Sequence, residues 1–91
     1  MGQQLPRGFL LGVPDLAVEV ISPDDSRREV ADKVNMWLAH GTSVVWVADP
    51  VDRTVAIHRV GQPRQILGLN DAIGDEPLLP GFELSIARIF T

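Results

Sequence analysis

The chain has 91 residues, 45% of them hydrophobic, with no cysteine and a formal net charge of −4. That length suits one domain with a working core but little margin, since a chain this small buries only about 60–65% of the surface its unfolded form would expose. The charge balance excludes a general attraction to nucleic acid phosphates, and the absence of cysteine excludes disulfides and thiolate metal ligands.

Residues 1–13 hold Gly2, Pro6, Gly8 and Gly12, with Gln3 and Gln4 between them. They read as an irregular lead-in, with Phe9 to Leu11 tucked against the core. No signal-like segment is visible, and no apolar run approaches the ~20 residues of a membrane span. The composition is compatible with a cytoplasmic protein.

Residues 15–21 predict a strand. From Leu16 to Ile21 a single carboxylate, Glu19, interrupts an otherwise apolar run. Such a run containing Val and Ile reads as a buried strand. Burying an ionised carboxylate without a partner costs several kcal/mol, so Glu19 needs a cation, a metal or a proton. Alternation places Asp15, Ala17, Glu19 and Ile21 on one face and Leu16, Val18 and Val20 on the other. Asp15 and Glu19 then lie roughly 13 Å apart along the strand, too far to share one ion directly.

Residues 26–40 predict a helix. Ser26-Arg27-Arg28-Glu29 matches a capping box, and Gly41 supplies the left-handed residue at the end. Val30, Ala31, Val34, Trp37 and Leu38 form the inward stripe. Lys33 falls at its edge beside Trp37, where its ammonium can reach back over the strand. Arg27 and Arg28 sit where a helix N-terminus can meet a phosphate, or stand as a solvated pair.

Residues 44–48 are apolar throughout and predict a central strand covered on both faces. Strand, capped helix and strand make a βαβ unit with parallel strands and a right-handed crossover. Asp49 to Asp52 form a turn, 54–60 an antiparallel returning strand, 61–63 another turn, and 65–69 a further short strand. From Asn70 the chain reads as loop through Pro77 and Pro80. Ser85 caps a short final helix with Ile86, Ile89 and Phe90 inward. Trp37 and Trp46 read as core residues. His40 and His58, the latter on an outer strand, read as surface residues.

The string Pro14-Asp15-Leu16-Ala17-Val18-Glu19-Val20-Ile21-Ser22-Pro23, then Lys33, Val45-Trp46-Val47-Ala48-Asp49-Pro50 and Leu79-Pro80-Gly81-Phe82, resembles the Uma2 family of restriction-endonuclease-like proteins, in the PD-(D/E)XK nuclease superfamily. The resemblance covers residues 14–90. It implies an α/β fold: a mixed sheet with a βαβ core followed by an antiparallel hairpin. It also implies Mg²⁺-dependent hydrolysis of DNA phosphodiesters. On that resemblance Glu19 is the acidic metal ligand, the Val20 carbonyl a further oxygen, and Lys33 the lysine moved from the strand to the helix, since Ile21 occupies its usual place. The family's upstream helix and hairpin, with its second acidic ligand, precede the segment seen here. The expectation is therefore a lead-in at 1–13 and a truncated domain at 14–91 that matches the C-terminal portion of the fold, with an incomplete site. Two readings stay open: an endonuclease completed by an acid from elsewhere, or a non-catalytic dimerisation or binding module. For Glu19 the plainer alternative is an ion pair with Lys33, and for Asp15 a strand-start role. Without its neighbouring hairpin, strand 15–21 exposes an edge, which predicts a homodimer through that edge or its cover by residues 8–13.

Overall fold

The computed structural model describes residues 14–74 and 76–90. In chain order the elements are β1 (Leu16–Val20), α1 (Arg27–Ala39), β2 (Val44–Asp49), β3 (Thr54–Arg59), β4 (Gln65–Leu67), β5 (Ala72–Ile73), β6 (Leu84–Ser85) and α2 (Ile86–Ile89). The first four strands form one mixed sheet in the order β1-β2-β3-β4, and β5 pairs with β6 in a separate antiparallel ribbon. β1 and β2 are parallel, while β2–β3 and β3–β4 are antiparallel. The expected α/β architecture is thus the observed one. The expected lead-in at 1–13 and the cover of the β1 edge by residues 8–13 fall outside the described residues.

Alternation along β2 divides the molecule into two cores. Val45 and Val47 point toward α1 and pack with Ala17, Val34, Ile21, Val30, Trp37 and Leu38. Val44, Trp46 and Ala48 point the other way, into a core with Val55, Ile57, Leu67, Ile73 and Ile86. This second face is covered by the chain after β4, where Phe82 stacks on Trp46 with ring centroids 6.3 Å apart. β2 is buried along its apolar length, as a strand covered on both faces must be.

The helix ends as its residues dictate. Ser26 accepts from the Glu29 backbone N–H at 3.0 Å, and Glu29 Oε1 accepts from the Ser26 N–H at 2.8 Å. That reciprocal pair satisfies two of the donors a helix start leaves over. Gly41 follows with φ 106°, a conformation a Cβ would strain. After β2, Asp49 Oδ1 accepts from the N–H groups of Val51 and Asp52 at 3.0 and 3.1 Å, closing the turn into β3.

Several expectations need correction. Residues 70–85 are not wholly loop: Ala72 and Ile73 pair with Ser85 and Leu84. Each strand is two residues long, too short for alternation to show in the sequence. Ser85 sits at the N-cap of α2 but makes no side-chain capping bond, and Ile89 is exposed. Ala31, expected on the inward stripe, is also exposed. β3 is an inner strand, so His58 is half-buried on the α1 side. β1 is not buried on both faces: Val18 and Val20 are 56% and 63% exposed. They lie beside Trp46 and Ala48 in register, at the margin of the second core, where no described segment covers them.

Candidate functional site

The site is built on β1. Its Ala17, Glu19 and Ile21 face α1, because their neighbours Ala17 and Ile21 pack in the helix-side core and side chains alternate along a strand. Glu19 is in register with Val47 of β2 and is half-buried. Trp37 comes down from the inward stripe of α1, one turn after the buried Val34. Its indole Nε1–H donates to Glu19 Oε2 at 2.7 Å. That is short for a nitrogen donor and typical of a bond to a charged acceptor.

This changes the expected partner of Glu19. The ion pair with Lys33 is absent among the described residues, where the ion pair identified is between Arg59 and Glu76. Lys33 is exposed, four residues before Trp37 and so on the same side of α1. Its charge instead helps, as the smallest contribution, to lower the Glu29 pKa, an effect owed first to the Ser26 backbone hydrogen bond. Trp37, read as a core residue, is half-buried and in polar contact with the candidate acid. A signal for this was present in the sequence: an inward-facing indole donor on the helix lies over the strand face that carries Glu19.

The other oxygen, Oε1 of Glu19, accepts no hydrogen bond among the described residues. A second oxygen comes from the backbone. The Ile21 N–H donates to Ala48 O at 2.9 Å, so Ile21 directs its backbone groups toward β2. Successive residues of a strand direct theirs to opposite sides, so the Val20 carbonyl faces the edge away from β2. A carboxylate oxygen and a peptide carbonyl fit a hard divalent cation in kind. Mg²⁺ is commonly held by one or two carboxylates, with waters and substrate phosphates filling the remaining positions. In number the set is small: among the described residues no group of three or more His, Cys, Asp or Glu could hold a metal ion. Asp15 is exposed before β1, and its backbone oxygen accepts from Ser43 and Val44.

The remaining candidates lie elsewhere. Arg27 and Arg28 are exposed in the first turn of α1. His40 is exposed at the end of the helix, with Nδ1 2.7 Å from the Met36 carbonyl oxygen. His58 lines a groove of about 450 Å³ between the first half of α1 and the open side of β3 and β4, with Arg27, Arg64 and Asp52 also on its walls. Burial first, then the charge of Arg64, hold its imidazole below the usual value. Neither Glu19 nor Trp37 lines this groove. No helix among the described residues is long and apolar enough to cross a membrane.

A chain of a crystal structure described as a putative nuclease belonging to DUF820, from Anabaena variabilis ATCC 29413, is similar in fold, with a TM-score of 0.77 and 29% sequence identity. The alignment covers 87% of this chain and 45% of that one, so the chain spans less than half the length of this neighbour. No curated protein matches. The fold is thus that of a nuclease-like domain. The sequence matches the Uma2 family, described as "Putative restriction endonuclease", over residues 2–87. That match takes in nearly the whole chain, and the protein belongs to the Uma2 family.

Proposed function

We propose that the chain is the C-terminal portion of a Mg²⁺-dependent DNA endonuclease domain, and that it supplies one side of the active site. Family membership and the nuclease-like fold support this reading. The observation that carries it is Glu19: a half-buried carboxylate on the helix side of β1, met among the described residues by a neutral donor and not by a cation. In this reading Glu19 and the Val20 carbonyl hold the ion, and a further acidic ligand comes from outside residues 14–90. The bound ion would supply Lewis-acid stabilisation of charge on the phosphate and lower the pKa of a water. Lys33, exposed and without an ion pair among the described residues, reaches along α1 to orient that water or offset phosphate charge. With a net charge of −4, contact with DNA must be local, and exposed Lys33, on the Trp37 side of α1, is the cation this reading uses.

The test is a Mg²⁺ or Mn²⁺ titration with a plasmid-nicking assay on wild type and Glu19→Gln. Metal-dependent nicking that the substitution abolishes supports the reading. No metal binding, and no difference between the two proteins, excludes it for this chain.

A second reading is favoured by a separate observation. β1 leaves its outer backbone groups and the side chains of Val18 and Val20 uncovered by any described segment. An apolar strand edge of this kind pairs readily with another strand. A homodimer joined through the β1 edge would cover it, whether or not the chain is catalytic. A monomeric mass in solution, together with fast amide exchange from Leu16 to Val20, excludes that interface.

A further inference from the structure

We propose that Trp37 is the positioning residue for Glu19: its indole N–H commits Oε2, so that Oε1 is the oxygen presented to a ligand. This rests on the reading of Glu19 as a cation ligand and assigns how its carboxylate is oriented.

A glutamate side chain has three rotatable bonds, and a ligand that must be held in one geometry loses affinity to that freedom. Two features restrict it here. The bond from Trp37 Nε1 is short, at 2.7 Å, and its donor is carried on a ring packed in the helix-side core with Val34 and Val47. An indole N–H donates and cannot accept, so the direction of the bond is unambiguous. It is also neutral. A lysine or arginine in its place would satisfy the same oxygen and compete with a cation for the charge. Trp37 satisfies the oxygen without neutralising its charge.

The need of the indole for an acceptor does not account for the contact. Trp46 Nε1, fully buried, has no hydrogen-bond partner among the described residues. The fold carries one orphaned indole donor in its second core, while the other is aimed at the acid on β1. Lys33 stands one turn earlier on the same side of α1 and is exposed.

The experiment uses the full chain, ¹⁵N-labelled, with the two indole resonances assigned by Trp46→Phe. Glu19→Ala is expected to move the Trp37 indole resonance and leave that of Trp46 in place. Mn²⁺ is then titrated as a paramagnetic probe. In wild type it is expected to broaden the Trp37 indole and the Glu19 and Val20 amides before the Trp46 indole. Trp37→Phe keeps an aromatic ring and removes the donor, so the Glu19 and Val20 amides should then need about tenfold more Mn²⁺ for equal broadening, the usual loss when an outer-shell partner of a ligand is removed. Circular dichroism on each variant separates this loss from unfolding. A folded Trp37→Phe that binds Mn²⁺ as tightly as wild type overturns the positioning role and leaves the cation reading intact. An indole resonance unmoved by Glu19→Ala overturns it as well. Absence of selective broadening in wild type overturns both proposals, and the bond is then a helix-to-strand contact only.

Discussion

Replacing Arg59 by methionine removes the partner of the most deeply buried carboxylate described. The Glu76 side chain is 1% exposed and accepts from Arg59 Nη2 at 2.7 Å and from Nη1 at 3.4 Å. The Leu78 backbone N–H adds only a long contact at 3.4 Å. Stranding a buried charge in this way costs about 3–5 kcal/mol. The Arg59 side chain is 30% exposed, so water can enter the space it leaves, and the lower end, about 3 kcal/mol, is expected. Against a total stability of about 5–15 kcal/mol for a small domain, that is a large fraction. It corresponds to a fall in Tm of roughly 12–24 °C at this size. Urea unfolding followed by circular dichroism measures it, with wild type, Arg59→Met, Glu76→Gln and the double variant compared. The double variant is expected to recover at least about 1 kcal/mol relative to Arg59→Met, because no charge is then stranded. The pair lies on the second core, opposite α1, so the Trp37 indole resonance should stay where it is in the folded variant. The reasoning fails if Arg59→Met costs under about 1 kcal/mol, or if the double variant is no more stable than the single one.

Three further outcomes follow from other contacts. Ser26→Ala removes one half of the capping box and should cost about 1 kcal/mol in urea with an unchanged slope. Thr42→Val should stabilise by about 1 kcal/mol, because the Thr42 hydroxyl is buried with no partner among the described residues; a loss of stability would point to a bound water there. His58 has a lowered pKa in the folded chain, so the unfolded chain binds the proton more readily. Stability from this group is full above the unfolded value of 6.5 and is lost as pH falls through it toward the lower folded value. His58→Gln should therefore flatten the fall in stability as pH drops below 6.5, and an unaltered pH profile would contradict the assignment.

The two-sided pattern at β2, the alternation at β1 and the capping box at Ser26 were legible in the residues because each signal is local and repeats within one element. They put Glu19 on one face of β1 with Ala17 and Ile21, and Trp37 on the inward stripe of α1. The bond between the two was not read, because it depends on how far the helix stands from the sheet, a distance no periodicity carries. The burial of Glu76 is hidden in the sequence for a different reason. Gly74, Asp75, Glu76 and Pro77 look like a surface turn, and only the return of the chain over the second core buries the glutamate. Alternation does put Arg59 on that side, since its neighbour His58 faces α1. What was missing was any sign that residues 72–73 and 84–85 pair and hold the intervening loop against the sheet. The exposure of Val18 and Val20 was also hidden, because an apolar run reports what a strand can bury and not which segment covers it.

Glu76 and Glu19 separate two uses of a buried charge. Glu76 is sealed, meets a guanidinium at two nitrogens and ties the C-terminal segment to β3. Its charge is spent within the fold. Glu19 is only half-buried, and its described partner is a neutral N–H on one oxygen. A hydrogen bond to a charged group contributes about 1.5–3 kcal/mol, enough to offset partial desolvation while leaving the net charge in place. Lys33, close in sequence to the tryptophan, is exposed and makes no ion pair with Glu19. Among the described residues the anion is held by a donor that cannot neutralise it, and the lysine stays in solvent. A carboxylate held by a neutral donor on β1, with an exposed lysine on the helix beside it, is what the proposed cation site asks of one of its walls.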